Sequence, residues 1–214
     1  MTRQQPNNKS SMTPDIAEEG KRIQYLSEPL VVLLDVYEPC DDTYLLLDAA
    51  LREVRPTDSV LEVGTGCGII AKMLTKRARS VVAIDKNPHA VVNAKLNGVE
   101  AFVGDLFASL HRRYDLVVFN PPYLPSQSSL TNDWQTAAWD GGVSGREVIE
   151  QFLAQASDYL TQEGRILLVI SSVTGHKEVT KLMRAQFKRV RTVAKRKFFF
   201  EMLYVLLGAE TIRQ

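Results

Sequence analysis

The chain has 214 residues, 45% hydrophobic and 24% charged, which suits one globular domain with a sizeable core and leaves too little length for a second full domain. A formal net charge of +1 gives the molecule as a whole no field to recruit nucleic acid or an anionic membrane. Cys40 and Cys67 have no paired spacing and no accompanying histidine cluster, which argues against a disulfide framework or a metal site.

Residues 1–20 are polar, contain Pro6 and Pro14 and lack an apolar signal core, so a loose tail is expected there, with a single domain over 21–214. No apolar run approaches the roughly 18–20 residues of a membrane span, and a cytoplasmic setting is expected. "PLVVLLDVYEP" is short, apolar and closed by proline. In "DDTYLLLDAALREV", Leu45, Leu46, Leu47, Ala49, Ala50 and Leu51 stand behind two acids and a threonine, the expected start of a packed helix.

From there the chain alternates. "SVLEVG" predicts a buried strand, "GIIAKMLTKRA" a helix, "SVVAID" a strand, "PHAVVNAKLNG" a helix and "VEAFVGD" a strand. "YDLVVFN" is a fourth strand, "GREVIEQFLAQASDYL" an amphipathic helix, "GRILLVISS" a strand, "HKEVTKLMRAQF" a helix, and "RVRTVAKRKFFFEMLYVLLG" a pair of strands. Such alternation implies a doubly wound parallel sheet to which the terminal pair adds an antiparallel strand. Nine Lys or Arg against one Glu between Lys177 and Lys197 read as a solvated helix face and strand ends rather than as a contact patch for RNA.

Three strand ends carry acids. In "LEVGTGCG", Gly64, Gly66 and Gly68 form G-x-G-x-G, not the dinucleotide fingerprint G-x-G-x-x-G, which would need glycine at Ile69. Glu62 beside that turn would repel a pyrophosphate and can hold an ammonium, so a cationic, phosphate-free nucleoside such as S-adenosyl-L-methionine is the favoured ligand. Asp85, 21 residues after Gly64, ends the second strand where a carboxylate can accept from both ribose hydroxyls, with Asn87 left to cap the next helix. Asp105 follows the third strand, placed to accept from an adenine amino group beside the apolar wall of Leu106 and Phe107.

The fourth strand runs into Asn120, Pro121, Pro122 and Tyr123. A planar nitrogen is a poor nucleophile because its lone pair is delocalised. The Asn120 side-chain oxygen and the Pro121 carbonyl can accept both of its N–H hydrogens and aim the lone pair, on a platform stiffened by two prolines, while Tyr123 stacks on the flat group. No general base is required of His89, His111 or His176. The acceptor chemistry fits an amide or an exocyclic base amine alike.

"DVYEPCDDTYLLLDAAL", "VLEVGTGCG", "VVAIDKNPHAV", "GDLF", "LVVFNPPYLP", "AAWDGGVSGREVIEQFL" and "FFFEMLYVL", in this order, resemble the HemK family of release-factor glutamine methyltransferases in its compact eukaryotic and archaeal branch, over about residues 34–208. The resemblance implies the class I methyltransferase fold: one Rossmann-like, mostly parallel seven-stranded sheet with an antiparallel strand near the C-terminus. It implies that Tyr37 and Thr43 close over S-adenosyl-L-methionine, that Glu62, Gly64, Gly66 and Gly68 hold its methionine end, that Asp85 holds ribose and that Asp105 and Leu106 frame adenine. Asn120, also touching the cofactor, would with Pro121, Pro122 and Tyr123 grip the glutamine amide of a Gly-Gly-Gln loop in a class I termination factor, and Trp139 would wall the substrate. It further implies a small zinc-binding activator subunit docked on the edge strand near residues 99–103. DNA or RNA base methylation and lysine methylation remain alternatives, the first disfavoured because no base-reading module is visible.

Overall fold

The computed structural model describes residues 20–25, 27–108, 110–126 and 133–212. The tail expected over residues 1–20 lies, Gly20 apart, outside the described residues. An antiparallel hairpin, β1 (Lys21–Tyr25) and β2 (Glu28–Val32), precedes the helix α1 (Asp41–Glu53). The main sheet comprises β3 (Ser59–Val63), β4 (Ser80–Asp85), β5 (Ala101–Val103), β6 (Tyr114–Phe119), β7 (Leu160–Ser171), β8 (Phe187–Lys197) and β9 (Met202–Thr211). Their spatial order is β5-β4-β3-β6-β7-β9-β8. Strands β3 to β7 are mutually parallel, and β9 runs antiparallel between β7 and β8, as the sequence pattern implies.

Helices α2 (Ile69–Leu74), α3 (Pro88–Leu96), the single turn α4 (Trp134–Ala137), α5 (Glu147–Ala156) and α6 (His176–Gln186) fill the connections. Period-two side-chain alternation splits the core into two layers. On β6, Leu116 and Val118 join the layer under α1, α2 and α3, whereas Val117 and Phe119 join Ile149, Phe152, Val179 and Met183 under α5 and α6. At the amino-terminal end of the sheet a buried ion pair, Arg165 to Asp58 at 2.6 Å, ties β7 to the entry of β3.

The hairpin is an element that the period reading does not reveal. Its backbone is held by side chains: Asn93 of α3 accepts from Leu33 N and donates to the Val31 carbonyl, and Asn97, just past the helix, accepts from Val31 N and donates to the carbonyls of Val31 and Cys67, all at 2.7–2.9 Å. Two buried asparagines thus serve β2 as a surrogate neighbouring strand. Their effect is to lay residues 33–42 across the carboxyl end of the sheet, where Asn87 also donates to the Asp35 carbonyl at 2.7 Å.

Candidate active site

Loops after β3, β4, β5 and β6, together with the segment leading into α1, enclose a cavity of about 270 Å³ at the carboxyl ends of the parallel strands. Most of the residues singled out in the sequence meet there, whereas Phe107, expected in the adenine wall, is buried in the core under α5 instead. Tyr37, Thr43, Glu62, Gly64, Gly66, Asp85, Asp105, Leu106, Asn120, Pro121, Pro122, Tyr123 and Trp139 all line it. Gly68 does not: it turns the chain into α2 at φ +83°, where an added Cβ would stand 3.0 Å from Ala94 of α3. None of the three histidines lines the cavity.

Glu62 is buried at the end of β3. Thr65 Oγ1 at 2.6 Å and Ala71 N at 3.0 Å both donate to its Oε2, so Oε1 keeps its lone pairs for whatever enters the cavity. Burial, reinforced by the charge of Asp85, pushes its pKa up to about 8. Asp85 accepts from Gly66 N on one oxygen at 2.9 Å and from Asn87 N on the other at 2.8 Å, and burial raises its pKa too. Asn87, as expected, caps α3 by accepting from His89 N at 2.9 Å, which leaves Asp85 out of that duty. After β5 the chain turns through Leu106 at φ +49°, a left-handed conformation that a branched side chain adopts only at a cost of about 1 kcal/mol. That turn sets the buried Leu106 side chain beside the exposed Asp105 at one wall.

Asn120 stands just past β6 and its amide is oriented by a residue that sequence reasoning missed. Asp42, in the first turn of α1, accepts from Asn120 Nδ2 at 3.1 Å, Tyr123 Oη at 3.3 Å, Tyr37 Oη at 3.2 Å and Thr43 N at 2.6 Å. No cation pairs with this buried carboxylate among the described residues; the amino end of α1 and these neutral donors hold its charge. Burial first, and the Asp42 charge second, raise the pKa values of both Tyr37 and Tyr123, so the two hydroxyls remain protonated donors. Because Asp42 can only accept, the Asn120 amide must turn its NH2 toward it and its Oδ1 away. Asn120 Oδ1 is buried and has no hydrogen-bond partner, the one such side-chain atom among the described residues.

A signal for Asp42 does exist in the sequence: with Leu45, Leu46 and Ala49 it makes the spacing i, i+3, i+4, i+7, which puts it on the buried face of α1 rather than among solvated cap residues. Thr43, by contrast, is tied into the cap, where its Oγ1 accepts from Cys40 N at 3.3 Å.

The segment after Tyr123 folds back on itself. Leu124 N donates to the Trp139 carbonyl at 2.9 Å, Gly141 N to the Leu124 carbonyl at 2.8 Å and Ser126 N to the Gly142 carbonyl at 2.8 Å; residues 127–132 of this loop lie outside the described residues. A Cβ on Gly141 would come within 2.8 Å of the Pro122 carbonyl, and one on Gly145 within 2.5 Å of the Tyr123 carbonyl. Those two glycines let the loop buttress the backbone of residues 120–123 directly. Trp139 and Trp134, each partly exposed, form the rim; Trp134 was not anticipated.

Residues 38–202 match the family described as Methyltransferase small domain. A Methanocaldococcus jannaschii relative, provisionally named a protein N5-glutamine methyltransferase, is 38% identical over 80% of this chain and 90% of its own length. The human protein named Methyltransferase HEMK2 is 34% identical over 80% of this chain and 88% of its own. Among solved structures, an E. cuniculi Mtq2-Trm112 complex, described as responsible for methylation of the eRF1 translation termination factor, superposes with a TM-score of 0.69 at 34% identity, covering 83% of this chain and 99% of that one. The chain belongs to the Methyltransferase small domain family, within its HemK group.

Proposed function

We propose that this chain is an S-adenosyl-L-methionine-dependent N-methyltransferase that modifies the glutamine side-chain amide of the Gly-Gly-Gln loop of a class I termination factor, in the cytoplasm and together with a small partner subunit. The observation that carries the reading is the buried, unpartnered Oδ1 of Asn120, fixed by Asp42 at the edge of the cavity. A buried acceptor without a donor costs about 1–3 kcal/mol, so it is kept for a donor that arrives from outside. An amide NH2 is such a donor, and Pro121 at the cavity wall supplies a second acceptor in its carbonyl.

The residues present fit the cofactor. Glu62 offers Oε1 to an ammonium, Asp85 has lone pairs left on both oxygens for a diol, and Asp105 with Leu106 bounds a flat heterocycle. When bound, S-adenosyl-L-methionine supplies a methyl group already activated on a sulfonium. Asn120 Oδ1 and the Pro121 carbonyl accept the two N–H hydrogens of the glutamine amide and turn its nitrogen lone pair toward that methyl. Tyr123 packs on the planar group, and Trp139 with Trp134 narrows the mouth against water. In the transfer the methyl carbon would exchange its bond to sulfur for one to the amide nitrogen, and that nitrogen would give up one of its two N–H protons to solvent.

The partner is assigned to the free edge of β5. Phe102 and Val103 there, and Val92 and Leu96 on the neighbouring α3, are large apolar side chains between 42% and 58% exposed, a patch suited to strand addition or apolar docking.

Radiolabelled methyl transfer to purified termination factor tests the proposal, with the Gly-Gly-Gln glutamine intact or changed, with nucleic acid controls, and with and without the small subunit. Label on the intact factor alone is expected; label on DNA or RNA in its place would sink the reading. Full activity of the isolated chain would remove the need for the subunit.

Glu62 gives the cofactor site a pH signature. Its folded-state pKa of about 8 lies above its unsupported value of 4.5, so its contribution to stability is full below pH 4.5 and is lost as pH rises toward 8. An ammonium on the carboxylate lowers that pKa again and expels the proton. Cofactor Kd should therefore fall by up to about tenfold per pH unit between pH 6 and 8 and level off above, with about one proton released per binding event. Calorimetry in buffers of different ionisation enthalpy measures both. A Glu62→Gln variant should bind more weakly and without this slope; an equally steep slope in that variant would place the titration elsewhere.

A further inference from the structure

Strand β8 and its turn into β9 carry surface that the reaction does not use. Lys195, Arg196 and Lys197 at the end of β8 are exposed and form no ion pair among the described residues, whereas Arg189 and Arg191 on the same strand are held by Glu210 and Glu53, each at 2.8 Å. In the turn, Phe199 and Phe200 are 96% and 94% exposed with ring centroids 5.5 Å apart. Their neighbour Phe198 packs against the core and donates its N–H to the Glu201 carbonyl at 2.8 Å, so the turn is already anchored without them. Two adjacent, fully bare phenylalanines flanked by unpaired cations contribute nothing to this chain's own fold and mark a contact surface.

The turn's place in the sheet indicates what it meets. Leu203 of β9 pairs with Ser171, the last residue of β7, so residues 198–201 stand at the carboxyl end of the sheet, the end where the cavity opens. Ser171 Oγ donates to the Glu201 carboxylate, Met202 N donates to Ser172 Oγ at 3.0 Å, and the Glu201 charge is among those that raise the Tyr123 pKa. The turn is thus fastened to the end of β7, the strand beside β6 that leads into Asn120, at the opposite side of the sheet from the β5 edge.

We infer that Phe199 and Phe200, with Lys195, Arg196 and Lys197, dock the body of the protein that delivers the acceptor side chain, through an apolar patch on that protein ringed by carboxylates. The inference rests on the glutamine reading above and adds a second contact, outside the loop that enters the cavity. Nucleic acid suits the surface less well: rings inclined at 58° make no parallel platform for successive bases, and three cations at one strand end fall short of the charged track that a phosphate backbone needs.

The test compares two acceptors, the intact termination factor and a short peptide carrying its Gly-Gly-Gln loop, using the full chain copurified with its partner subunit. In a Phe199→Ser/Phe200→Ser variant, KM for the intact factor should rise about tenfold or more with kcat and cofactor Kd unchanged, and kinetics on the peptide should match wild type. Lys195→Glu/Arg196→Glu/Lys197→Glu should raise the same KM and abolish its dependence on salt. Unchanged KM on the factor in both variants overturns the inference, as does an equal loss on the peptide. Loss of single-stranded RNA binding, or of self-association, with KM unchanged assigns the surface to those partners and also overturns it. If wild type transfers no methyl to the factor, the glutamine reading itself falls and the docking inference falls with it.

Discussion

Asn120→Ala is expected to lower kcat on the termination factor by about 10²–10³-fold, some 2.7–4 kcal/mol of transition-state stabilisation, while leaving cofactor Kd within about threefold of wild type. Asn120 Oδ1 is buried, unpartnered and held by the Asp42 contact to Nδ2, so its only available work is to accept from an incoming donor. Removing it deprives the acceptor amide of half its two-point grip and lets the nitrogen lone pair stay conjugated with its own carbonyl. In the proposed reading the cofactor is held chiefly by Glu62 and Asp85, whose hydrogen bonds do not involve Asn120. Single-turnover rates and cofactor titration by fluorescence or calorimetry separate the two quantities. Parallel losses in kcat and in cofactor affinity would show that Asn120 belongs to the cofactor pocket instead.

The sheet was legible in the sequence because burial on both faces forces near-continuous apolar runs, such as "VLEV" and "DLVVF", with helical periods between them. The acids at the ends of β3, β4 and β5 were legible for a related reason: a carboxylate placed where a buried strand must stop has few structural uses. Other features were hidden because their logic is tertiary. The β1-β2 hairpin depends on Asn93 and Asn97, whose amides replace a neighbouring strand, and polar residues on a helix ordinarily read as a solvated face. Gly141 and Gly145 sit in what reads as a flexible loop, yet their value is close approach to the carbonyls of Pro122 and Tyr123, a contact between segments about 20 residues apart. Asp42 was hidden by its neighbour: next to Asp41, at the head of a helix, it reads as one of two acids favoured by the helix dipole, and only its spacing from Leu45, Leu46 and Ala49 marks it as buried.

Asp42→Asn is expected to lower kcat by about 100-fold with little change in cofactor Kd, because Asp42 works through Asn120. The substitution conserves shape but replaces an oxygen that can only accept with an NH2 that can only donate. If that NH2 faces Asn120, the Asn120 amide gains by rotating half a turn, and its own NH2 then points where Oδ1 stood. The acceptor fork becomes one acceptor and one donor, and a glutamine NH2 meets a like group. Tyr37 and Tyr123 lose little, since hydroxyls can rotate to either polarity, so the melting temperature should fall by only a few degrees. Asp42→Ala, by contrast, strands both hydroxyls and the Asn120 NH2 without their acceptor, at about 1–3 kcal/mol for each buried group, and should cost ~10 °C or more. Coupling distinguishes orientation from bulk stability. In an Asn120→Ala background no amide remains to be turned, so adding Asp42→Asn should leave kcat where Asn120→Ala alone put it. If the two losses instead multiply in full, Asp42 acts on the reaction independently of Asn120, and the hydrogen bond between them orients nothing that catalysis needs.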